Sequence, residues 1–383
     1  MSRKEKKKAL IVTALAGFIR SFLTNDIKIL QEMGYEVHCA ANIDHAGAEG
    51  MVEYFQKMNV IFHQIEFSSN KPISKETVIA YKQVARLIKK TRFSLIHCHT
   101  PIAGAITRVA ARKKKKSGMK VIYTTHGFYF HKHSSKKTWL VFRTIEDLMS
   151  RYSDAIITIN HEDYSNAKKM HCSNVYYIPG VGVDTKRFSD VIVGRDEYRK
   201  KIGVEKDDFL ILAVGELSHR KNHQIIIKAL GKVKIPNAVF MICGNAMNSA
   251  NTKDELEKLA KQENVDLRLM GLRKDIAEIC KCADVGVMPS IREGLGLSGI
   301  EMLASGLPVV ASDVHGIVDY IKDGQDGYLC NPLNENEFAE AINKLVPSSV
   351  RNSMKKDCVA LSKAFDKKNS YEKMKKIYEL LVD

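Results

Sequence analysis

No stretch of this 383-residue chain approaches the ~20 consecutive apolar residues of a membrane-spanning helix. A secretory leader is not expected either. After the basic start MSRKEKKK, only about five apolar or small residues precede the triplet Ala14-Leu15-Ala16, against the ~7–15 of a leader's apolar core. The same run, Ala9–Leu15, reads as a buried first strand. The cysteines lie far apart, and the one close pair, Cys280 and Cys282, lacks CxxC spacing. They are therefore expected as reduced, buried thiols in a cytoplasmic protein. No GxGxxG stands in register after a strand, and no Gly-Lys-Ser/Thr marks a P-loop, so NAD-linked and P-loop chemistry lose their fingerprints. His97 and His99 stand two apart with no third ligand nearby, which is weak as a metal site. Low-complexity segments and short repeats are absent.

What remains is a globular composition, 45% hydrophobic and 27% charged, in a chain long enough for about two domains. Charge is divided unevenly. Residues 1–180 hold 29 Lys and Arg against 14 Asp and Glu, while the remainder holds 31 against 30. The basic part carries blocks at Arg3–Lys8, Lys89–Lys90, Arg112–Lys116 and Lys136–Lys137. Such blocks are solvated helix ends, or they meet an anionic membrane surface or a nucleic acid.

Short β-branched runs alternate with amphipathic stretches along the whole chain. ALIVTAL, YEVHCAA, VIFHQIEF, SLIHCHT, KVIYTT, AIITI and VYYIP read as strands in the first half. FLILAVG, AVFMICG, LRLMG, VGVMPS, PVVAS and GYL follow in the second. Helices are expected at Asn25–Met33, Lys75–Lys90, Asn222–Leu230, Thr252–Gln262, Asp275–Cys282, Ser298–Ser305 and Glu335–Leu345. This alternation predicts an α/β protein with two Rossmann-like, doubly wound parallel sheets. The expected divisions are residues 1–183, residues 184–365, and a C-terminal helix, 366–383, returning towards the first domain. Ligands of such sheets bind beyond the carboxyl ends of the strands, here in a cleft between two facing domains.

At one such end stands REGLGLSGIEMLASG, residues 292–306, with Glu293 and Glu301 bracketing a loop rich in glycine. Gly294, Gly296 and Gly299 carry no side chain, so backbone N–H groups can reach an anionic ligand at a helix N-terminus. Glu301 also fits a capping box with Ser298. Glu293 has no comparable structural explanation. A phosphate cradle with a carboxylate on each side suits a nucleotide sugar.

This stretch, PSIREGLGLSGIEMLASGLPVVASD, resembles the E-x7-E region of the retaining glycosyltransferases of family four, which have the GT-B fold. The resemblance extends through VGELSHRKN (214–222), GLRKDIAEICKCADVGVMPS (271–290), HCHTPIAGAITRVAAR (97–112), TTHGFYFHK (124–132) and YIPGVGVDTKRF (177–188). The last three are most similar to the branch that builds bacterial capsular and exopolysaccharide repeat units.

The resemblance implies a role for each matching position. Glu301 would bind the donor's ribose hydroxyls and Glu293 the transferred sugar. The backbone of Gly294, Leu295, Gly296 and Leu297 would hold sugar and phosphates, and Lys221 would pair with the diphosphate. His126 would stand against the donor sugar; a satisfied buried histidine is the alternative. Gly17 would lie in a small-residue loop near the diphosphate, or in an ordinary tight turn. Leu272 and Arg273 would lie along the nucleobase, and Asp275 could cap the following helix. His99 is the acceptor-side candidate. The family's Gly-Arg-Leu is altered: Gly215 is followed by Glu216, which removes a phosphate cation that Arg220 would replace unless it is a surface residue.

The activity so implied is metal-independent transfer from a UDP-sugar to an undecaprenyl-diphosphate-linked saccharide, with retention and without a cofactor. The enzyme would sit on the inner face of the cell membrane. Arg86–Lys90 and Arg108–Lys116 would contact that surface, together with Trp139, Phe142 and Phe128–Phe130. A GT-B-fold UDP-sugar epimerase is the rival enzyme. A nucleic-acid binder is disfavoured because the basic blocks lack interleaved aromatics, and no RRM, KH or helix-turn-helix pattern is present.

Overall fold

The computed structural model describes residues 6–45, 48–68, 74–113, 118–246 and 251–382. Two compact units emerge: residues up to Val181 together with those from Lys368 onward, and Gly182–Lys367. The basic positions Arg3, Lys4 and Lys114–Lys116 lie outside the described residues.

In the first unit seven strands form one sheet. They are β1 (Lys8–Leu15), β2 (Glu36–Asn42), β3 (Ile61–Gln64), β4 (Leu95–His99), β5 (Lys120–Thr124), β6 (Ala155–Thr158) and β7 (Val175–Tyr177). Their order is β3-β2-β1-β4-β5-β6-β7, every pairing parallel. β1 is buried from Ala9 through Ala14, as a central strand covered on both faces must be. The second unit holds β8 (Phe209–Val214), β9 (Ala238–Cys243), β10 (Asp266–Leu269), β11 (Val285–Met288), β12 (Val309–Ser312) and β13 (Gly327–Cys330). Their order is β10-β9-β8-β11-β12-β13, again all parallel. The doubly wound expectation therefore holds in both units. Strand order reverses at β1/β4 and at β8/β11, and these switch points are where such sheets bind ligands.

Helices form where local chemistry closes their ends. Ser74 caps Lys75–Lys90 by accepting from the Thr77 N–H at 3.3 Å, and Lys89 and Lys90 oppose the dipole at its other end. The helix Lys367–Val382 buries Met374, Ile377, Tyr378 and Leu381 within the first unit. All eight cysteines are buried free thiols. Among the described residues, no helix is long and apolar enough to cross a membrane.

Two surface readings do not survive. Phe128 and Phe130 are 2% and 0% exposed and stack on each other at 4.8 Å, so they belong to the core. Arg108 is fully buried; it pairs with Glu146 at 2.9 Å and lies 3.9 Å over the Tyr123 ring. A helix with basic residues on a face has room for one of them to turn inward when a carboxylate waits there.

The second unit has a buried charge cluster of its own. Asp284, just before β11, accepts from the Leu210 N–H at 2.9 Å and from Arg199, Arg195 and Arg351 at 3.3, 2.8 and 3.1 Å. Arg199 is 1% exposed. Removing the carboxylate strands that guanidinium, so Asp284→Ala is expected to destabilise this unit by about 3–5 kcal/mol in urea unfolding. Asp196→Ala, which breaks an exposed pair with Lys206, should cost under about 1 kcal/mol. Equal losses would refute this assignment of the buried cluster.

Candidate active site

At the β8/β11 switch point the chain gathers charge. β8 ends at Val214, and Gly215 follows it. The Gly215 carbonyl passes so near Gly244 that a Cβ on Gly244 would stand 1.8 Å from the oxygen. Side chains are excluded here, and the Lys221 stem lies across Gly215 instead, with Cε 3.0 Å from where a Gly215 Cβ would be. Asn222 adopts a left-handed conformation, φ 54°. Its amide donates to the carbonyls of Pro289 and Pro332 at 3.2 and 2.8 Å, which pins the Lys221 turn to the end of β11. Asn222 is a positioning residue that the sequence reading did not single out; its only signal was its place after Lys221.

Glu293 lies beyond β11. Its Oε2 receives the Lys221 ammonium at 2.7 Å, the Arg220 guanidinium at 3.0 Å and the Ser290 hydroxyl at 3.3 Å. Burial opposes ionisation of Glu293, but Lys221 and Arg220 outweigh it and hold the carboxyl below its ordinary range. Arg220 is thus turned inward. Its other arm reaches Glu216 at 2.9 Å, so the residue that replaces the family's arginine position is bound to the candidate substitute.

The loop then runs into the helix Leu297–Ala304. Gly296 is its N-cap at φ 79°, a conformation that glycine alone adopts without strain, and its carbonyl accepts from the buried Tyr320 hydroxyl at 3.1 Å. Leu295 is buried, so only its backbone can face a ligand; in the first helical turn the Gly299 N–H goes to the Gly296 carbonyl at 3.0 Å, and the Leu297 and Ser298 N–H groups precede any intrahelical acceptor. The expected capping box is not formed. Ser298 Oγ donates to Met288 Sδ at 3.2 Å, and no side chain caps this helix. Glu301 is instead an uncommitted, largely buried carboxyl. Burial raises it to about 7, with Arg187 pulling the other way.

The nucleobase-side candidates divide. Leu272 is 79% exposed. Arg273 is tied to Asp275 at 2.9 and 2.5 Å, and Tyr198 also donates to that carboxylate. Hydrogen bonding from Arg273 holds Asp275 down to about 2. Asp275 occupies the N-cap of Ile276–Cys282 but makes no capping hydrogen bond, so the capping alternative falls.

In the first unit the β1/β4 switch point carries histidines. Thr100, the residue after β4, is held at φ 61°, and its hydroxyl accepts from the Ala14 N–H at 3.2 Å. A β-branched residue in this region is strained, as functional backbone often is. Gly17 is not in a loop. β1 passes directly into the helix Ala16–Phe22, so Gly17 stands in a helical first turn. His126, after β5, is half-buried against Phe18 at 4.8 Å and meets His99 Nδ1 through its Nε2 at 3.2 Å. His99 is 1% exposed. A side chain so enclosed is placed to support His126.

Behind His99 lies a chain of groups whose connection the sequence did not show. His97 packs on His99 with ring centroids 4.0 Å apart, and its Nε2 meets Thr124 Oγ1 at 2.7 Å. Its Nδ1 meets the Tyr378 hydroxyl at 2.6 Å, and that hydroxyl donates to Asp26 at 2.8 Å. This order assigns the proton to His97 Nδ1 and leaves Nε2 to accept from Thr124. Burial pushes His126 down to about 4 and His97 to about 3, and holds His99 well below its ordinary value. All three imidazoles are therefore neutral near pH 7. His97 and Tyr378 are 281 positions apart, so no local pattern could announce the contact.

Comparisons with known proteins agree with this layout. Residues 24–187 match the family described as Glycosyltransferase Family 4, and residues 194–364 match Glycosyl transferases group 1. The chain is 33% identical to the Bacillus subtilis protein named "Putative glycosyltransferase EpsD", over 88% of its own length and 87% of that protein. It is 29% identical to the UDP-Gal:alpha-D-GlcNAc-diphosphoundecaprenol alpha-1,3-galactosyltransferase of Escherichia coli, over 78% of this chain and 77% of that one. In fold it is similar to Anabaena Alr3699/HepE in complex with UDP and glucose, with TM-score 0.77, 18% identity and coverage of 98% and 99%. Parallel doubly wound sheets, their switch-point residues and these relatives converge: the chain belongs to the GT-B glycosyltransferases.

Proposed function

We propose that this protein transfers a sugar from a UDP-sugar to a hydroxyl of a lipid-diphosphate-linked saccharide, with the anomeric configuration retained and without a metal ion. The observation that carries the reading is the Lys221–Glu293 contact at 2.7 Å beside the side-chain-free Gly215. It places a cation and an ionised carboxylate next to bare backbone, which a sugar diphosphate requires. The Lys221 ammonium has three donors and gives one to Glu293, which leaves donors for a diphosphate. Arg220 adds a second positive charge, and the first turn of Leu297–Ala304 adds N–H groups. Glu293 accepts from a hydroxyl of the transferred sugar, and Glu301 accepts from the ribose.

Chemistry at the anomeric carbon follows from charge. An oxocarbenium-like transition state is positive on the sugar and negative on the departing phosphate. Lys221 and the backbone donors stabilise the negative part. His126, kept neutral by burial, accepts or donates a hydrogen bond at the sugar without opposing the positive part, as an imidazolium would. The departing phosphate takes the acceptor proton on the same face. Positioning and electrostatic stabilisation then supply the rate.

The acceptor assignment draws on the Escherichia coli relative, whose name pairs a UDP-sugar with a diphosphoundecaprenol saccharide. The transferred unit is a hexose or N-acetylhexosamine, and the setting is capsule or exopolysaccharide repeat-unit synthesis on the inner membrane surface. Basic residues such as Arg86, Lys89 and Lys90 attract that surface, each contributing about 1 kcal/mol at most.

Thermal-shift screening of UDP-, GDP- and dTDP-sugars, followed by reaction with a lipid-diphosphate sugar, tests the whole reading. A UDP-sugar should stabilise best, the product should keep the donor's anomeric configuration, and EDTA should leave turnover unchanged. Lys221→Ala is expected to lose about 2–4 kcal/mol of transition-state stabilisation, roughly a hundred-fold or more in kcat. Near-normal turnover in that variant would remove Lys221 from the mechanism.

A pH prediction comes from Glu301. The ionised carboxylate is the better acceptor for two ribose hydroxyls, and its pKa is about 7. Below that value the site must first lose a proton, so UDP-sugar affinity should fall as pH falls from 8 to 6, by about ten-fold at one unit below the pKa. Calorimetric titration with UDP-glucose or UDP-galactose reads this directly, because a diphosphodiester does not titrate in the window. In Glu301→Gln the slope should vanish; a slope unchanged in that variant would assign it elsewhere.

A further inference from the structure

The first unit contains a cavity of about 520 Å³ that the mechanism above does not use. It lies among the helices Lys75–Lys90, Pro101–Ala111 and Lys136–Ser150. Val78, Tyr81, Ala105, Ile106, Phe142 and Ile145 supply its walls. Its size is that of a small-molecule pocket. Thr100 and Gly127, each next in sequence to a histidine of the switch point, also line it. The lining holds one carboxylate, Glu146, and its charge is already met by Arg108 at 2.9 Å and the Tyr123 hydroxyl at 3.3 Å. An apolar guest therefore leaves no charge unpaired.

The helix Lys136–Ser150, which lines the cavity through Phe142, Ile145 and Glu146, has a polarity from head to tail. Lys136 and Lys137 stand exposed at the amino end of the helix Lys136–Ser150. Phe142 follows five residues later, about 8 Å along the axis, and stacks on Tyr129 at 5.0 Å. Val141, Ile145 and Leu148 of the same helix, at 47%, 45% and 48% exposure, form a stripe at helical spacing, and Ile145 joins that stripe to the apolar wall. Cations thus stand at the helix end that follows the loop carrying His126, and apolar side chains follow them along the helix. An isoprenoid diphosphate has that distribution of charge and apolar length; a free sugar or a peptide strand does not.

We propose that this groove binds the first isoprene units of the acceptor's polyprenyl diphosphate, with the diphosphate towards Lys136 and Lys137. The occupant rests on the lipid-linked acceptor reading, and the groove selects acceptors by their tail.

Trp139, the chain's one tryptophan, lies on the same helix with its ring 6.0 Å from Phe130 and reports occupancy without turnover. Titration with geranylgeranyl diphosphate in vesicle-free buffer should change Trp139 fluorescence and saturate, while inorganic diphosphate at equal concentration should not. Ala105→Phe fills the groove, and Ile145→Asp charges an exposed wall position that folding does not need buried. Each should raise the half-saturating concentration about ten-fold or more. With matched acceptors, kcat/KM for a polyprenyl-diphosphate sugar should fall about ten-fold in both variants. That for the same sugar diphosphate on a butyl tail should stay unchanged, as should KM for the donor. Loss of both acceptors together, or of neither, overturns the proposal. So does loss of binding to acceptor-free anionic vesicles with the polyprenyl preference intact, since the occupant is then a bilayer lipid. If geranylgeranyl diphosphate binds and both variants abolish it while no lipid diphosphate is glycosylated, the groove stands and the transferase acceptor assignment falls. If glycosylation is independent of tail length, the reverse holds.

Discussion

A carboxylate taken out of water must be paired or it takes up a proton, and at Glu293 two cations prevent that. Much of the candidate donor site is organised around keeping Lys221 and Arg220 in place. Lys221 reaches Glu293 because Gly215 has no side chain, and Gly215 can sit there because Gly244 has none either. Asn222 ties the lysine's turn to the carbonyls of Pro289 and Pro332. Tyr320 holds the Gly296 carbonyl, and the space it fills exists because a Gly299 Cβ would stand 2.3 Å from its hydroxyl. One ion pair thus fixes where backbone, rather than side chain, can meet a ligand.

The same physical term, burial, is used in opposite directions elsewhere. Glu293 keeps its charge because cations surround it, whereas Glu301, eight positions on, is pushed up to about 7 because only Arg187 opposes desolvation. His97, His99 and His126 are held neutral. Environments that push pKa values apart divide labour among residues of similar type. Here one carboxylate remains ionised, another can respond to pH, and the imidazoles act as neutral hydrogen-bonding groups. Asp26, raised to about 6 by burial, joins the histidines through Tyr378, so the C-terminal helix takes part in the packing that holds His99 and His126.

Much of the fold was legible because parallel strands buried on both faces leave apolar, β-branched runs that need no partner to be recognised. Each of the thirteen strands named above coincides with a run read as a strand, the unburied edge strands β3 and β10 included, and the helix Lys75–Lys90 begins and ends as expected. Glu293, Lys221 and the glycines were legible because they follow strands. Side-chain direction was not. Arg108 and Arg86 both stand on helices of the first unit, yet Arg86 is exposed and Arg108 is buried on Glu146. Phe128 and Phe130 flank the exposed Tyr129, and only packing shows that they turn inward. Ser298 and Glu301 have capping-box spacing, but Ser298 is drawn to Met288 and the cap is not made.

The amino-acid sequence by itself determined the alternation of strands and helices, the two sheets, and which residues stand at the carboxyl ends of strands. These depend on periodicity and on contacts between near neighbours. Only the tertiary structure decided which charges meet, which histidines lie buried, and that a tyrosine 281 positions from His97 completes its hydrogen bonding. Desolvation and pairing depend on everything packed around a group, and that surrounding is assembled from segments that the chain order keeps apart.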